Sequence, residues 1–245
     1  MATALNHKVS KLLSTNFENK ITREELNLDV GFGGKKIAYV LHNVLTKEEC
    51  EALISETENI GYSPALVHHG PNIAVLAKGY RDSQRIMIDD KTFASILFER
   101  IGHLLPQSFK TRTTSDEHKL KEINERLRFL RYDPGDKFKP HCDGCYERPD
   151  GSARTRVTLQ LYLNEGMDGG ETTFLKMTTA KEEDAMLPEN RVSVIPKTGS
   201  ILVFEHNILH EGSIVRAGRK YTVRMDVLYA NSNFEINETR KCVIA

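Results

Sequence analysis

The chain has 245 residues, and 34 Lys and Arg balance 34 Asp and Glu, leaving a formal net charge of zero. That length suits one domain with a sizeable core, and the charge balance gives no electrostatic pull towards nucleic acid or an anionic membrane. Hydrophobic residues at 39% and charged residues at 28% exclude wholesale disorder, and no apolar run approaches the roughly 18 residues of a spanning helix.

Residues 1–33 are polar and weakly patterned and are expected to form a helical or irregular N-terminal appendage. Asn6, His7, Lys8 and Lys11 interrupt any apolar signal core, and Cys50, Cys142, Cys145 and Cys242 are too sparse for a disulfide framework. Reduced thiols in the cytoplasm or the nucleus are therefore expected, without secretion. Residues 37–45 read as a strand. Thr46-Lys47-Glu48-Glu49 then forms a capping box, in which hydroxyl and carboxylate each meet an orphan backbone N–H. Cys50, Leu53, Ile54 and Thr57 follow at helical spacing and Gly61 ends the helix. Residues 61–88 have few periodic features and read as loop with short strands. A second helix is expected over 90–105, with Phe93, Ile96, Leu97, Ile101 and Leu104 as its buried stripe and Pro106 as its stop.

From residue 127 the texture changes to short strands: 127–132, 138–143, 156–164, 171–175, 191–195, 200–205 and 220–229. Asp133-Pro134-Gly135-Asp136 marks a turn, and the polar stretches 144–154 and 176–190 read as surface loops. Helices followed by many short strands indicate an α+β or mainly β domain, with helices on one face of a sandwich or barrel. Two strands alternate. Val157, Leu159, Leu161 and Leu163 oppose Arg156, Thr158, Gln160 and Tyr162, while Tyr221, Val223, Met225 and Val227 oppose Lys220, Thr222, Arg224 and Asp226. The polar faces either meet solvent or line a ligand cavity while the apolar faces pack on helices.

His141-Cys142-Asp143 favours the cavity. On a strand, residues i and i+2 share a face, so His141 and Asp143 can present a nitrogen and an oxygen to one metal, with Cys142 directed away. His210, far enough downstream for several strands, fits as the third ligand. Two His and one carboxylate leave open positions on the metal, which suits non-haem Fe(II) binding a cosubstrate and O2. Lys220, ten residues after His210, could pair with the far end of a dicarboxylate through a charge-assisted bond. Arg224 shares its face and is the alternative anchor, while alternation turns Arg219 outward.

Tyr132-Asp133-Pro134-Gly135, Phe138 and His141-Cys142-Asp143 together resemble the first metal motif of 2-oxoglutarate/Fe(II) dioxygenases of the prolyl 4-hydroxylase type. Tyr162-Leu163-Asn164 with Gly169-Gly170-Glu171-Thr172 resembles the family's middle strands. Pro196, Gly199-Ser200, Phe204, His210-Glu211-Gly212, Val215, Gly218 and Lys220-Tyr221 resemble its distal motif. The resemblance covers about residues 40–229. It implies a mainly β fold with supporting helices, a double-stranded β-helix or jelly-roll barrel. The dioxygenase domain would span 34–230, with a catalytic core at about 125–230 and a tail at 231–245. It further implies His141, Asp143 and His210 as Fe(II) ligands. Lys220 would take the C5 carboxylate of 2-oxoglutarate, Tyr162 would add a hydroxyl to it, and Tyr132 would line the cosubstrate pocket. O2 is the other cosubstrate, succinate and CO2 are released, and ascorbate would keep the iron reduced.

The closest texture implies a prolyl residue in a polypeptide as substrate, contacted by 144–154, with Arg148 and Arg154, and by 61–88. A free amino acid or other small molecule, a binding module without turnover, and a zinc hydrolase are the alternatives. Neither a nucleic-acid nor a membrane partner is expected, and the oligomeric state is open. His206 is passed over because the spacing of Gly212 and Gly218-Arg219-Lys220 selects His210. His68-His69 reads as surface, Cys142 and Cys145 as an incidental pair, and Glu211 as a solvated group or a support for His210.

Overall fold

The structure, a computed structural model, describes residues 8–14, 17–28, 36–68, 74–110, 117–176 and 187–231. Its first part comprises β1 (Thr22–Glu25), β2 (Ala38–His42), α1 (Lys47–Ile60), β3 (Ser63–Pro64), β4 (Val67–His68), β5 (Ala74–Val75), β6 (Gln84–Asp89), α2 (Lys91–Ile101), β7 (Ser108–Lys110) and β8 (Glu117–Ile123). The second part comprises β9 (Arg126–Tyr132), β10 (Phe138–His141), β11 (Ala153–Tyr162), β12 (Asp168–Gly169), β13 (Thr172–Leu175), β14 (Arg191–Val194), β15 (Ile201–Glu205), β16 (His210–Gly212), β17 (Val215–Ala217) and β18 (Lys220–Ala230).

A ten-stranded antiparallel sheet runs β1-β2-β15-β11-β18-β9-β6-β3, with β8 also on β18 and β7 on β8. A four-stranded sheet runs β10-β16-β13-β14. One face of the large sheet carries Val157, Leu159, Leu161, Val223, Met225 and Val227, which pack against Leu53 of α1 and Phe93, Leu97 and Ile101 of α2. Between the sheets, Val40, Tyr162, Leu202 and Phe204 meet Phe174 and Val194. This is the expected mainly β jelly roll with helices on its outer face. The polar faces of β11 and β18 therefore turn into the barrel and not into solvent.

The capping box of α1 is present: the Glu49 N–H donates to the Thr46 hydroxyl at 3.1 Å, and the Thr46 N–H donates to the Glu49 carboxylate at 2.9 Å. In α2 the buried stripe is Phe93, Ala94, Leu97, Arg100 and Ile101, with Ile96 only partly covered; the expected helix over 90–105 ends at Ile101 and continues as a 3-10 turn, Gly102–Leu104, whose Leu104 is partly covered. Within 1–33, Thr22–Glu25 pairs with β2, and Val9 and Leu13 are buried in the main core. A strand over Glu117–Ile123 was not expected, because only His118 and Ile123 of its residues are buried and its charged residues mask the alternation. The expected strand 138–143 stops at His141, which leaves Asp143 just beyond the ladder.

Candidate active site

Two short antiparallel strands bring the imidazoles together: His141 at the end of β10 lies opposite His210 at the start of β16. Their ring centroids are 4.4 Å apart. The Asp143 N–H donates to the His206 carbonyl at 2.9 Å, which turns the carboxylate back towards both rings. Asp143 Oδ1 is 3.9 Å from His141 Nε2, and its Oδ2 is 3.8 Å from His210 Nε2. Among the described residues this is the one metal-competent cluster, with all ligand atoms within 4.8 Å of one another.

Backbone carbonyls set the tautomers. His141 Nδ1–H donates to the Lys139 carbonyl at 2.7 Å and His210 Nδ1–H to the Ile208 carbonyl at 2.9 Å. Each Nε2 is thereby left as a lone pair facing the carboxylate, the arrangement a metal ligand requires. Burial, reinforced by His210, pulls the His141 imidazole down to about 3, so it is neutral at physiological pH. Burial opposes ionisation of Asp143, but Arg224 and the two imidazoles hold its carboxyl well below the usual range. The Thr158 hydroxyl donates to Asp143 Oδ2 at 2.5 Å, and Arg224 lies 3.2 Å from Oδ1.

A cavity of about 180 Å³ opens over these ligands, lined among others by Arg81, Tyr132, Gln160, Thr172, Lys220 and Arg224. Lys220 is 3% exposed and has no hydrogen-bond or ion-pair partner among the described residues. Its ammonium lies 5.3 Å from the Tyr132 ring centre and 5.6 Å from that of Tyr162. Burial lowers it to about 8, partly offset by Glu171. A buried cation without a counter-ion is costly unless an anion joins it, so the cavity is shaped for one. The donor set and this orphaned ammonium fit Fe(II) and a dicarboxylate together. The Tyr162 hydroxyl donates to Thr172 at 2.9 Å.

Arg224 is not an idle alternative anchor. It pairs with Asp143 and, at 3.0 Å, with Asp226, which Arg128 also holds at 2.8 Å. Arg219 reaches outward to Asp133. His206 is buried 3.5 Å from Asp226, outside the ligand set. Glu211 is taken by Arg191 and Ser213. Cys142 and Cys145 are free exposed thiols, and Cys142 is among the residues that border the cavity. Cys242, His69 and residues 177–186 lie outside the described residues, as does the side chain of His68.

The loop 144–154 is no free flap. Arg148 binds Glu125 at 2.6 Å and Glu122 at 2.9 Å, and the backbones of Glu147 and Arg154 pair in an isolated antiparallel bridge. Arg148 is thus occupied within the fold. Thr158, Gln160 and Asp226 were legible as members of the inward faces, though without roles. Arg81 carried no signal, because the stretch around it has no periodicity.

Residues 127–225 match the family model of the 2OG-Fe(II) oxygenase superfamily. The chain is 30% identical over 176 residues to probable prolyl 4-hydroxylase 11 of Arabidopsis thaliana, covering 68% of this chain and 55% of that protein. It is 29% identical over 203 residues to prolyl 4-hydroxylase 5 of the same plant, covering 76% of this chain and 66% of that protein. The chain thus spans between about half and two thirds of the length of these relatives. Among solved structures, a Pseudomonas putida prolyl-4-hydroxylase matches with a TM-score of 0.50 at 20% identity, covering 78% of this chain and 91% of that one. At that identity the likeness is one of fold.

Proposed function

We propose that this chain, with its 2OG-Fe(II) oxygenase domain, is a 2-oxoglutarate-dependent dioxygenase that hydroxylates a prolyl residue in a polypeptide. The observation that carries this reading is the pairing of the His141, Asp143 and His210 cluster with a buried, unpartnered Lys220 in one cavity. Polypeptide prolyl hydroxylation is inferred from the relatives' names.

Fe(II) at the three ligands, with 2-oxoglutarate and O2, supplies the oxidant for an unactivated C–H bond. The chain's residues hold and orient. His141 and His210 offer Nε2, locked by the Lys139 and Ile208 carbonyls. Asp143 offers a carboxylate oxygen held by Thr158 and Arg224. Lys220 takes the C5 carboxylate of 2-oxoglutarate at the back of the cavity. Tyr132 walls that pocket, and Tyr162, whose ring lies 5.6 Å from the Lys220 ammonium, would add its hydroxyl to the same carboxylate by turning it from Thr172. Phe138, stacked on His141 at 3.6 Å, keeps water off that ligand.

Ascorbate as the reductant for the iron is part of the same proposal. Residence in the cytoplasm or nucleus is too, supported by the free thiols of Cys50, Cys142 and Cys145. We also take 34–230 as the dioxygenase domain. The test is aerobic incubation with Fe(II), 2-oxoglutarate and proline-containing peptides. Succinate formation coupled to the gain of one oxygen on proline is expected. Succinate with oxygen on a free amino acid alone would move the reading to the small-molecule alternative, and no succinate at all would overturn it.

A further inference from the structure

The concave face carries more positive charge than its own acids can balance. The register places Arg128 of β9 opposite Met87 of β6 on one side and Arg224 of β18 on the other. Arg85, two residues before Met87, shares that face. Arg81 joins them from the segment that docks on β10: the Asp82 N–H donates to the Lys137 carbonyl at 3.0 Å and the Lys139 N–H to the Tyr80 carbonyl at 2.9 Å. Against these guanidiniums and Lys220 stand Asp143 and Asp226, with Glu171 acting on Lys220. Arg128 and Arg224 are both engaged by Asp226, and Arg224 by Asp143 as well. Lys220 is accounted for by 2-oxoglutarate. Arg81 and Arg85 remain without a carboxylate partner among the described residues.

Arg81 is also well placed. Its guanidinium lies 4.7 Å from the Phe138 ring centre, and that ring stacks on His141 at 3.6 Å and 22°. A cation therefore sits on the cavity wall directly behind a metal ligand. Its one hydrogen bond is a long 3.4 Å contact to the Ser83 hydroxyl. Shortly before it in the chain, Val75, Leu76 and Tyr80 are 39%, 59% and 36% exposed, and the Tyr80 ring meets Phe138 edge-on at 5.7 Å. Burial above all, and after it the like charges of Arg81, Arg128 and Arg224, pull Arg85 down to about 10.

We propose that the substrate is an acidic polypeptide: a carboxylate side chain near the reacting residue pairs with Arg81 and Arg85, while its apolar neighbours lie on Val75, Leu76 and Tyr80. This rests on the dioxygenase reading above. The guanidinium fork matches a planar carboxylate in two parallel hydrogen bonds, and the extra anion relieves the crowding of cations. An extended chain can use the rim and the arginines at once, whereas a free amino acid reaches only one of them.

The test uses the full chain loaded with Fe(II) and 2-oxoglutarate without oxygen, and labelled peptides with one proline and either Glu or Gln at a flanking position. Fluorescence anisotropy should show the best Glu peptide binding about tenfold or more tightly than its Gln twin. Arg81→Gln and Arg85→Gln should bring that ratio towards one, and Arg81→Lys should restore part of it. Because the ratio is taken within each variant, general weakening of a variant cancels. Equal binding of the twins, or binding of neither, overturns the proposal. N-acetylglutamate and free proline serve as competitors. Failure of both to displace the peptide supports a polypeptide carboxylate, and displacement by either at the peptide's own concentration overturns it in favour of a free acid. On admitting oxygen, equal hydroxylation of Glu and Gln peptides would overturn the acidic preference and leave prolyl hydroxylation standing. A retained Glu preference in binding with no oxygen gained on proline would overturn the hydroxylase reading and leave the acid site standing.

Discussion

Lys220 stands directly opposite Tyr132 across the β9–β18 ladder, its ammonium 5.3 Å from that ring centre. The pairing sets a cation at the floor of the cavity with aromatic neighbours and, among the described residues, no acid within bonding distance. Lys220→Ala should raise the 2-oxoglutarate concentration for half-maximal succinate formation about tenfold or more, as expected for losing a charge-assisted bond of roughly 1.5–3 kcal/mol. Arg224→Ala should instead weaken metal binding, because Arg224 holds Asp143. A larger effect of Arg224→Ala than of Lys220→Ala on 2-oxoglutarate would show the anchor misassigned.

The same lysine predicts a pH dependence. Burial lowers its free-state value to about 8, opposed by Glu171, with Tyr132 and Tyr162 as its other titratable neighbours. Binding a carboxylate stabilises the ammonium and raises that value. The apparent Kd for 2-oxoglutarate should therefore be flat below about pH 8 and rise by up to about tenfold per pH unit above it. Titration calorimetry between neutral and alkaline pH checks this. A Kd that stays flat through the alkaline range would show that Lys220 does not carry the interaction.

Replacing His141, Asp143 or His210 by Ala removes one of three protein ligands. Turnover should fall by about 100-fold or more, in line with even outer-shell changes at metal sites costing about 10–100-fold. The fold should survive, since the main core is made of other residues. Equilibrium dialysis of Fe(II) alongside circular dichroism separates the two effects. Undiminished succinate formation by Asp143→Ala would refute the three-ligand site.

Outside the site, Arg100 of α2 joins Glu49 of α1 at 2.7 Å, with both side chains 5% exposed. Arg100 also donates to the Ser14 and Val44 carbonyls, and Glu49 accepts from the Ser14 and Thr46 N–H groups. Arg100→Ala would strand a buried carboxylate and should cost about 3–5 kcal/mol, measurable as a lower urea midpoint. Burial opposes its ionisation, but Arg100 and the backbone donors hold the Glu49 carboxyl below its ordinary value. Its contribution to stability is therefore fully present above the unfolded carboxyl range and is lost as pH falls through the depressed folded value. Arg100→Ala should remove that part of the acid sensitivity.

Much of this protein is local enough to be legible in one dimension. The Thr46 and Glu49 capping box depends on four consecutive residues, and the inward faces of β11 and β18 depend only on strand periodicity. His141 and Asp143 are two residues apart, so the chain itself brings them near one metal. His210 and Lys220 were candidates by their place downstream on inward-facing strands, and the resemblance of their surrounding motifs gave them their roles. What tertiary structure decided is whatever needs two distant segments to meet. Alternation gave Arg224 the same inward face as Lys220, and only the approach of Asp143 and Asp226 tells a paired guanidinium from a free ammonium. Arg148 looked available on a polar loop until β8 and its following turn brought Glu122 and Glu125 beneath it. Arg81 had no periodic signal at all, because its place behind His141 comes from pairing with Phe138 across the cavity rim. The sequence by itself determined which residues face inward. Charge partnership in a low-dielectric interior is set by distances of a few ångströms between strands far apart in the chain, and only folding supplies those.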